Sequence, residues 1–166
     1  GGGVCRLAFS EADKAARDHV EERMRRLGLA VHIDRIGNIA GIRAGLEPGP
    51  VVMTGSHIDT VGTAGPLDGS YGVLSSLEVF EVLNEAGVNT RRPLAVMSFV
   101  NEEGARFTPD MMGSLVLRGD LSVEDARRII GIDGTTIGEN MDRTAYAGSE
   151  QPGTLPVHCY VELHIE

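Results

Sequence analysis

The sequence of 166 residues predicts an α/β domain in which helices flank a mixed, mainly parallel sheet. Three observations support this prediction. Apolar residues make up 42% of the chain, which is enough to form one buried core. An amphipathic stretch near the start predicts a helix that two short strands follow. Further along, a strand, a helix and a second strand follow one another, and such units usually build parallel sheet.

The N-terminal quarter of the chain predicts a helix and two strands. Ser10 and Asp13 resemble a capping box at the start of a helix over residues 11–27. Apolar positions recur at helical spacing through this stretch, and a glycine follows it. Short apolar runs at residues 29–33 and 39–42 then predict two strands that a turn joins.

The middle of the chain predicts the strand–helix–strand unit. Residues 51–54 form a short apolar run after a proline-rich breaker, and a glycine-rich loop follows them. Residues 71–86 predict a helix that is mostly apolar, and residues 94–100 predict a second buried strand. Open α/β sheets bind their ligands at the carboxyl ends of the strands, so the residues that follow each of these strands are candidates for a site.

The pattern is weaker in the last third. Ser122 and Asp125 resemble a second capping box, which begins a short helix that ends near Ile130. Residues 133–141 predict another short helix. Alternating residues predict a strand over 157–165, one face of which carries His158, Tyr160, Glu162 and His164.

Charge and cysteine content limit the classes of partner. The net charge is −9, from 24 acidic and 15 basic residues, which argues against nucleic acid because a phosphate backbone requires a basic surface. We expect no signal peptide and no membrane partner, because no apolar run approaches the length of a membrane span. Cys5 and Cys159 are predicted to be reduced, buried thiols of a cytoplasmic protein.

Ligand-type side chains follow both strands of the central unit. His57 and Asp59 form a His-x-Asp pair, which suits a metal-bound imidazole whose second ring nitrogen needs a partner. Asp68 precedes a glycine that lets the backbone turn, and its two oxygens could bridge two cations. Of Glu102 and Glu103, one can bind metal while the other accepts a proton from water.

Each of these motifs also has an ordinary structural interpretation. Paired glutamates are common on surfaces, and an Asp-Gly pair is usually a turn. Ser56 lies beside His57, but the elbow pattern of a serine nucleophile is missing, and so is a phosphate-binding loop. The joint placement of the acidic residues and His57 at adjacent strand ends favours a metal site.

Several segments resemble a known family. Residues 55–60 (Gly-Ser-His-Ile-Asp-Thr), 67–73 (Leu-Asp-Gly-Ser-Tyr-Gly-Val) and 101–107 (Asn-Glu-Glu-Gly-Ala-Arg-Phe) resemble motifs of the dinuclear aminoacylase/carboxypeptidase-type metallopeptidase clan. The form of the third motif, together with Glu-Leu-His-Ile-Glu at residues 162–166, is similar to one branch. That branch holds N-carbamoyl-L-amino-acid hydrolases, allantoate amidohydrolases and β-ureidopropionases.

The resemblance implies a role for each matching residue. It implies two divalent ions, zinc or manganese, held by His57, Asp68, Glu103 and His164, with Asp68 as the bridge. Glu102 would be the general base and later the proton donor, and Asp59 would support His57. His158 lies on the same predicted strand face as His164, six residues away, or roughly 20 Å along a regular strand. One metal centre therefore cannot bind both histidines.

The resemblance begins at Leu7 and implies an incomplete metallopeptidase-like catalytic domain. Residues 1–166 would be its N-terminal part, without the lid/dimerisation domain and the C-terminal part of the catalytic domain. The implied activity is hydrolysis of a linear amide C–N bond in a small N-carbamoyl (ureido) amino acid or allantoate-like substrate. The parent enzyme would be a homodimer, and this chain alone would be inactive. An aminoacylase or dipeptidase of the same clan, or a truncated non-catalytic metal-binding domain, are the alternatives.

Overall fold

The computed structural model describes residues 2–165, which fold around a five-stranded sheet. In chain order the elements are α1 (Glu11–Arg26), β1 (Ala30–Ile33), β2 (Ile39–Arg43), β3 (Val51–His57), α2 (Ser70–Glu85), β4 (Leu94–Phe99), α3 (Met112–Arg118), α4 (Val123–Arg128), α5 (Ile137–Thr144) and β5 (Val157–Val161). No helix within these described residues is long and apolar enough to cross a membrane.

The sheet has the order β1-β2-β4-β3-β5 and is mixed, as predicted, but parallel pairs do not predominate, since two pairs are parallel and two are antiparallel. β3 pairs in parallel with both β4 and β5, whereas β2 pairs antiparallel with β1 and β4. The predicted strand–helix–strand unit is β3–α2–β4, and its register ends with His57 opposite Phe99. The loops that follow these two strands therefore begin at the same edge of the sheet.

Hydrophobic packing covers the two faces of the sheet unequally. On one face, Met24 of α1 and Leu77 and Phe80 of α2 are buried with Val96 of β4. On the other face, the buried cluster of the central strands is covered only by partly buried neighbours such as Leu117. Burial of apolar surface is the main favourable term in folding, so the first face contributes more to stability than the second.

A polar turn at residues 34–38 connects the sheet to the segments that follow β4. The Asp34 carboxylate accepts hydrogen bonds from the backbone N–H groups of Ile36, Gly37 and Asn38. The Asn38 amide donates to the Gly113 carbonyl at 3.0 Å, and its oxygen accepts the Val100 N–H at 3.1 Å. The turn therefore joins the end of β4 to α3.

Two helices differ from the sequence prediction. α5 begins at Ile137 and not at residue 133, because Thr136 and Glu139 form a capping box that fixes the first turn. α3 was not predicted. It is short, it has no side-chain cap, and its N-cap Met111 has a left-handed backbone, so the usual start signals are absent.

The last strand is shorter than predicted, since β5 ends at Val161. Its pairing with β3 stops at that residue, and a bulge leaves His158 without a direct partner. The following segment passes over the first turn of α2. A Cβ on Gly72 would lie 2.6 Å from the Leu163 carbonyl oxygen, so this crossing requires glycine.

The prediction that both cysteines are buried is wrong. Cys5 and Cys159 are free and exposed. Cys159 lies on β5, which is at the edge of the sheet and is exposed along its whole length. Cys5 lies in the segment before α1 and is exposed, whereas Ala8 and Phe9 of the same segment are buried.

Candidate metal centre

His57 ends β3 and is buried at the carboxyl edge of the sheet. Its Nδ1 atom lies 3.0 Å from the backbone carbonyl oxygen of Asp59. A carbonyl oxygen can only accept a hydrogen bond, so Nδ1 donates to it and Nε2 is the ring nitrogen that remains for a metal. Nε2 faces two carboxylates: Asp68 Oδ1 is 3.9 Å away and Glu102 Oε2 is 3.3 Å away.

Asp68 comes from the glycine-rich loop between β3 and α2. Gly69 follows it with φ +60°, and a Cβ there would lie 2.4 Å from the imidazole of His57. The predicted role of this glycine, a sharp turn beside the carboxylate, is therefore confirmed. The Asp68 side chain stays 34% exposed, so a solvent ion can reach it.

His164 reaches the same position from the segment that follows β5. Its Nε2 atom lies 3.7 Å from Asp68 Oδ1, and its ring stacks on that of His57 with centroids 5.7 Å apart. One donor atom each from His57, Asp68 and His164 lies within 4.8 Å of the others.

Asp59 connects this group to the loop after β4. Its two carboxylate oxygens accept the backbone N–H groups of Glu102 at 3.1 Å and Glu103 at 3.3 Å. The His57 ring therefore contacts the carbonyl of Asp59, while the nearest carboxylate oxygen is 3.8 Å from Nδ1. A single residue thus orients the histidine and the two glutamates.

The electrostatics of the site favour a cation. Burial raises the pKa of Asp59 and of Glu102, although the neighbouring His57 opposes both shifts. Burial, and then the negative charge of Asp68, raise the pKa of Glu103. Oε1 of Glu103 is also buried without a hydrogen-bond partner among residues 2–165. Closely placed acidic groups that resist ionisation would be stabilised in their charged form by a nearby positive charge.

The donor set fits a divalent metal. Zinc–nitrogen and zinc–oxygen bonds are about 2.0–2.2 Å, so two ligands of one ion can be up to about 4.4 Å apart. The separations of 3.9 and 3.7 Å that join Asp68 to the two histidines lie inside this limit. Imidazole and carboxylate ligands suit zinc and manganese alike.

The structure brings together most of the residues that the sequence singled out. His57, Asp68 and His164 form the three-donor group, with Glu102 beside it and Asp59 beneath. Glu103 lies next to this group without being one of its three donors, while His158 is exposed at the bulge of β5. Ser56 is buried, which removes it as a surface nucleophile.

Sequence reasoning missed side chains that hold the ligand loops. Arg6 donates to the carbonyl of Ile58 and to the Ser70 hydroxyl. Asn101 is buried with φ +48°, and its amide donates to the carbonyl of Phe107, inside the loop that carries both glutamates. Asn101 is part of the motif at residues 101–107, but the motif did not indicate this structural role, and the sequence around Arg6 gives no signal that distinguishes it from a surface residue.

Comparison with known proteins identifies the family. Residues 38–149, which include His57, Asp68, Glu102 and Glu103, match the model of peptidase family M28. The N-carbamoyl-L-amino acid amidohydrolase of Geobacillus stearothermophilus is 42% identical over 99% of this chain. The allantoate amidohydrolase of Bacillus subtilis is 33% identical over 99% of this chain. The chain spans 41% of the length of each of these two relatives.

The fold agrees with the sequence comparison. The crystal structure of a hydantoinase/carbamoylase family amidase from Burkholderia ambifaria is 42% identical and superposes with a TM-score of 0.96. The alignment covers 99% of this chain and 41% of that one. The family implies use of a divalent metal, in agreement with the donors at the sheet edge. The chain therefore belongs to peptidase family M28, and within it resembles the amidohydrolases of N-carbamoyl amino acids and allantoate.

Proposed function

We propose that this chain is the metal-binding part of an amidohydrolase that cleaves the linear amide C–N bond of an N-carbamoyl amino acid or an allantoate-like substrate. The observation that carries the proposal is the convergence of His57, Asp68 and His164 beside Glu102. The named activities of the two amidohydrolase relatives support this substrate class.

The metal ligands are assigned from the donors that face one another. His57 would bind through Nε2, since its Nδ1 proton is held by the carbonyl of Asp59. Asp68 and His164 would complete the first ion, and Asp68 and Glu103 would hold a second. A divalent ion here would polarise the substrate carbonyl and make water more acidic. Zinc or manganese would fill both positions.

Glu102 would move the proton. Its Oε2 atom lies 3.3 Å from His57 Nε2, so it borders the position where substrate must bind. As general base it would take a proton from the attacking water and then deliver that proton to the leaving nitrogen. Burial raises its pKa above the usual range for a glutamate, which makes it a better proton acceptor near neutral pH. Asp59 would keep it in place through the backbone bond to Glu102.

The proposal extends to the longer protein. The chain spans 41% of these relatives, so residues outside it would supply further substrate and metal contacts. We infer that residues 1–166 are the N-terminal part of the catalytic domain, and that a longer form is a homodimer. Two exposed free thiols support a reducing, cytoplasmic location.

The test is to measure metal content and hydrolysis separately. The 166-residue chain should bind Co²⁺, and His57→Ala should abolish that binding. A longer form that spans the length of the relatives should release ammonia from N-carbamoyl amino acids or allantoate, whereas residues 1–166 alone should not.

His158→Ala is the matched control, because this exposed histidine lies on β5 away from the three donors. It should leave Co²⁺ binding unchanged. Equal losses in His57→Ala and His158→Ala would contradict the assigned site. Hydrolysis of unmodified dipeptides in preference to ureido substrates would instead favour a peptidase.

A further inference from the structure

We propose that Arg6 is a positioning residue that holds the His57 loop and the Asp68 loop at one spacing, so that both side chains can bind the same ion. This inference rests on the proposed function, because the spacing matters only if the two residues share a metal. Arg6 lies in the segment of residues 4–8, which precedes α1.

The segment before α1 runs alongside the loop that leaves β3. Val4 and Ala64 exchange two backbone hydrogen bonds, each 3.0 Å long. Two residues further on, the Arg6 carbonyl accepts the Thr60 N–H at 2.9 Å, and the Arg6 N–H donates to the Thr60 hydroxyl at 2.7 Å. The backbone of Arg6 is thus fixed against the loop before its side chain makes any contact.

The guanidinium of Arg6 then connects the residue that follows His57 to the start of α2, just after Asp68. Nε of Arg6 donates to the carbonyl of Ile58, the residue directly after His57. Nη2 donates to the Ser70 hydroxyl at 2.9 Å, two residues after Asp68 and at the first residue of α2. One side chain therefore reaches the neighbours of both ligands, although 52 and 64 residues separate Arg6 from its two partners.

Arginine suits this role because its donors lie in a rigid planar fork. A lysine would present its donors at one point and could not hold two separated acceptors in a fixed relation. Arg6 and Ser70 are both partly or fully buried, so water competes weakly for these bonds. Hydrogen bonds to a charged group are also stronger than neutral ones.

The same segment contacts the third part of the site. Arg106, from the loop that carries Glu102 and Glu103, donates from Nη1 to the Ala8 carbonyl at 2.9 Å. Residues 4–8 therefore contact every loop that supplies a donor except the one that bears His164. Within this segment, it is the side chain of Arg6 that sets the distance between His57 and Asp68.

The experiment compares Arg6→Ala, Arg6→Lys and a matched control, Arg43→Ala. Arg43 also donates from Nε to a side-chain oxygen (Asn84) and from Nη2 to a backbone carbonyl (Val88). It lies opposite Leu94, at the far end of β4 from the site. Losing it should therefore reduce stability without changing the ligand loops.

The first readout is Co²⁺ affinity, followed by the visible absorption of bound Co²⁺. Arg6→Ala should raise the Kd about tenfold, within the range seen when residues that support metal ligands are removed. It should also alter the absorption spectrum. Arg6→Lys should restore less than half of the lost affinity, and Arg43→Ala should leave both affinity and spectrum unchanged. Equal effects of Arg6→Ala and Arg43→Ala would overturn the proposal.

A double-mutant cycle tests the link itself. Ser70→Ala should weaken Co²⁺ binding in the wild-type background but add nothing in the Arg6→Ala background, because the shared bond is already lost. Additive effects would show that Arg6 does not act through Ser70 and would overturn the proposal.

Hydrogen exchange of the metal-free chain separates this inference from the proposed function. Amides of residues 58–70 should exchange faster in Arg6→Ala than in Arg43→Ala. If the wild-type chain fails to bind Co²⁺, the proposed metal site is wrong, and the exchange result still decides whether Arg6 holds the loop. Unchanged exchange in Arg6→Ala would contradict the inference whatever the metal result.

Discussion

The carboxylates of Asp59, Glu102 and Glu103 have different surroundings at the site, so we expect them to have different chemical roles. The two oxygens of Asp59 accept backbone N–H groups, and the side chain is buried, so it is not placed to contact substrate. Glu102 directs Oε2 towards the His57 ring, whereas Oε1 of Glu103 is buried and has no hydrogen-bond partner in the described part of the chain. A buried carboxylate oxygen without a partner is costly unless a cation or proton satisfies it. We therefore expect the adjacent glutamates to have separate roles, with Glu102 in proton transfer and Glu103 in metal binding.

We expect Glu102→Gln to separate chemistry from metal binding. In a longer, active form the substitution should lower kcat by about 10²–10⁴-fold, which is the usual contribution of a general base, and leave metal content unchanged. Glutamine keeps the shape of the side chain but cannot accept the proton. Steady-state kinetics and metal analysis of the same preparation provide the measurement.

Glu103→Gln is the matched comparison, since it changes the neighbouring residue in the same way. Here the metal content should fall, because the amide is a poorer ligand than the carboxylate. If Glu102→Gln retains most of the activity, or loses metal as Glu103→Gln does, the general base must be another group.

At the scale of elements, the start of α1 contains an unusual acid. Ser10 caps the helix by accepting the Asp13 N–H, as the sequence predicted. The Asp13 carboxylate, however, accepts the N–H of Phe9, whose backbone is left-handed, at 2.8 Å. Burial raises the pKa of Asp13 to about 6, and Arg17 opposes the shift only in part. The folded state therefore favours the protonated form of this side chain.

The pH dependence of stability follows from that shift. The pKa of Asp13 is higher in the folded chain, about 6, than its ordinary value of 3.8, so between these pH values the folded state binds more protons. Its contribution to the free energy of unfolding is greatest below pH 4 and falls as the pH rises towards 6. The full difference is about 3 kcal/mol.

Asp13→Asn removes this titration while keeping an oxygen that can accept the Phe9 N–H. The variant should gain stability relative to the wild-type chain as the pH is raised from 4 to 7. Urea unfolding at several pH values measures the difference between the two proteins. Parallel curves would mean that Asp13 does not titrate in this range in the folded state.

Elements were predictable where local signals were strong. The capping residues Ser10 and Ser122 fixed two helix starts, and the apolar runs of β3 and β4 fixed their parallel pairing through α2. The start of α5 was misplaced at residue 133, although Thr136 is the cap and the helix begins at Ile137. The predicted strand over residues 157–165 was too long, because the alternation of apolar and polar residues continues past Val161 although pairing with β3 does not. Local patterns do not report where a partner strand stops.

The site was predictable only in part for a similar reason. His57 and Glu102 follow strands that topology brings to one edge, so their proximity could be inferred from the chain. His164 follows an irregular crossing over Gly72, and resemblance alone selected it over His158. Arg6 donates to the Ser70 hydroxyl, which is 64 residues away in the sequence, and no periodic pattern of residues predicts such a contact.

At the scale of the whole molecule, the edge of the sheet formed by β5 is exposed. β5 is at the edge and is exposed along its length, and the segment after it continues as a row of exposed apolar side chains. Val161 is 61% exposed and Leu163 is 49% exposed. An edge strand with unpaired backbone groups and apolar neighbours is a template for pairing with another chain. The outer surface of α2 adds exposed Leu74, Val79 and Val82.

We therefore expect residues 1–166 to self-associate through β5. The net charge of −9 opposes association at low ionic strength, so added salt should increase the oligomer fraction by screening that repulsion. Val161→Lys should shift the chain towards monomer, because a charged residue on an edge strand blocks strand-to-strand pairing.

Ile132→Lys is the control: Ile132 is 78% exposed but lies outside the strands, so its replacement should leave the oligomer fraction unchanged. Light scattering over a range of protein and salt concentrations measures the association. A wild-type chain that stays monomeric throughout, or equal effects of the two lysine variants, would show that the open edge of β5 does not drive it.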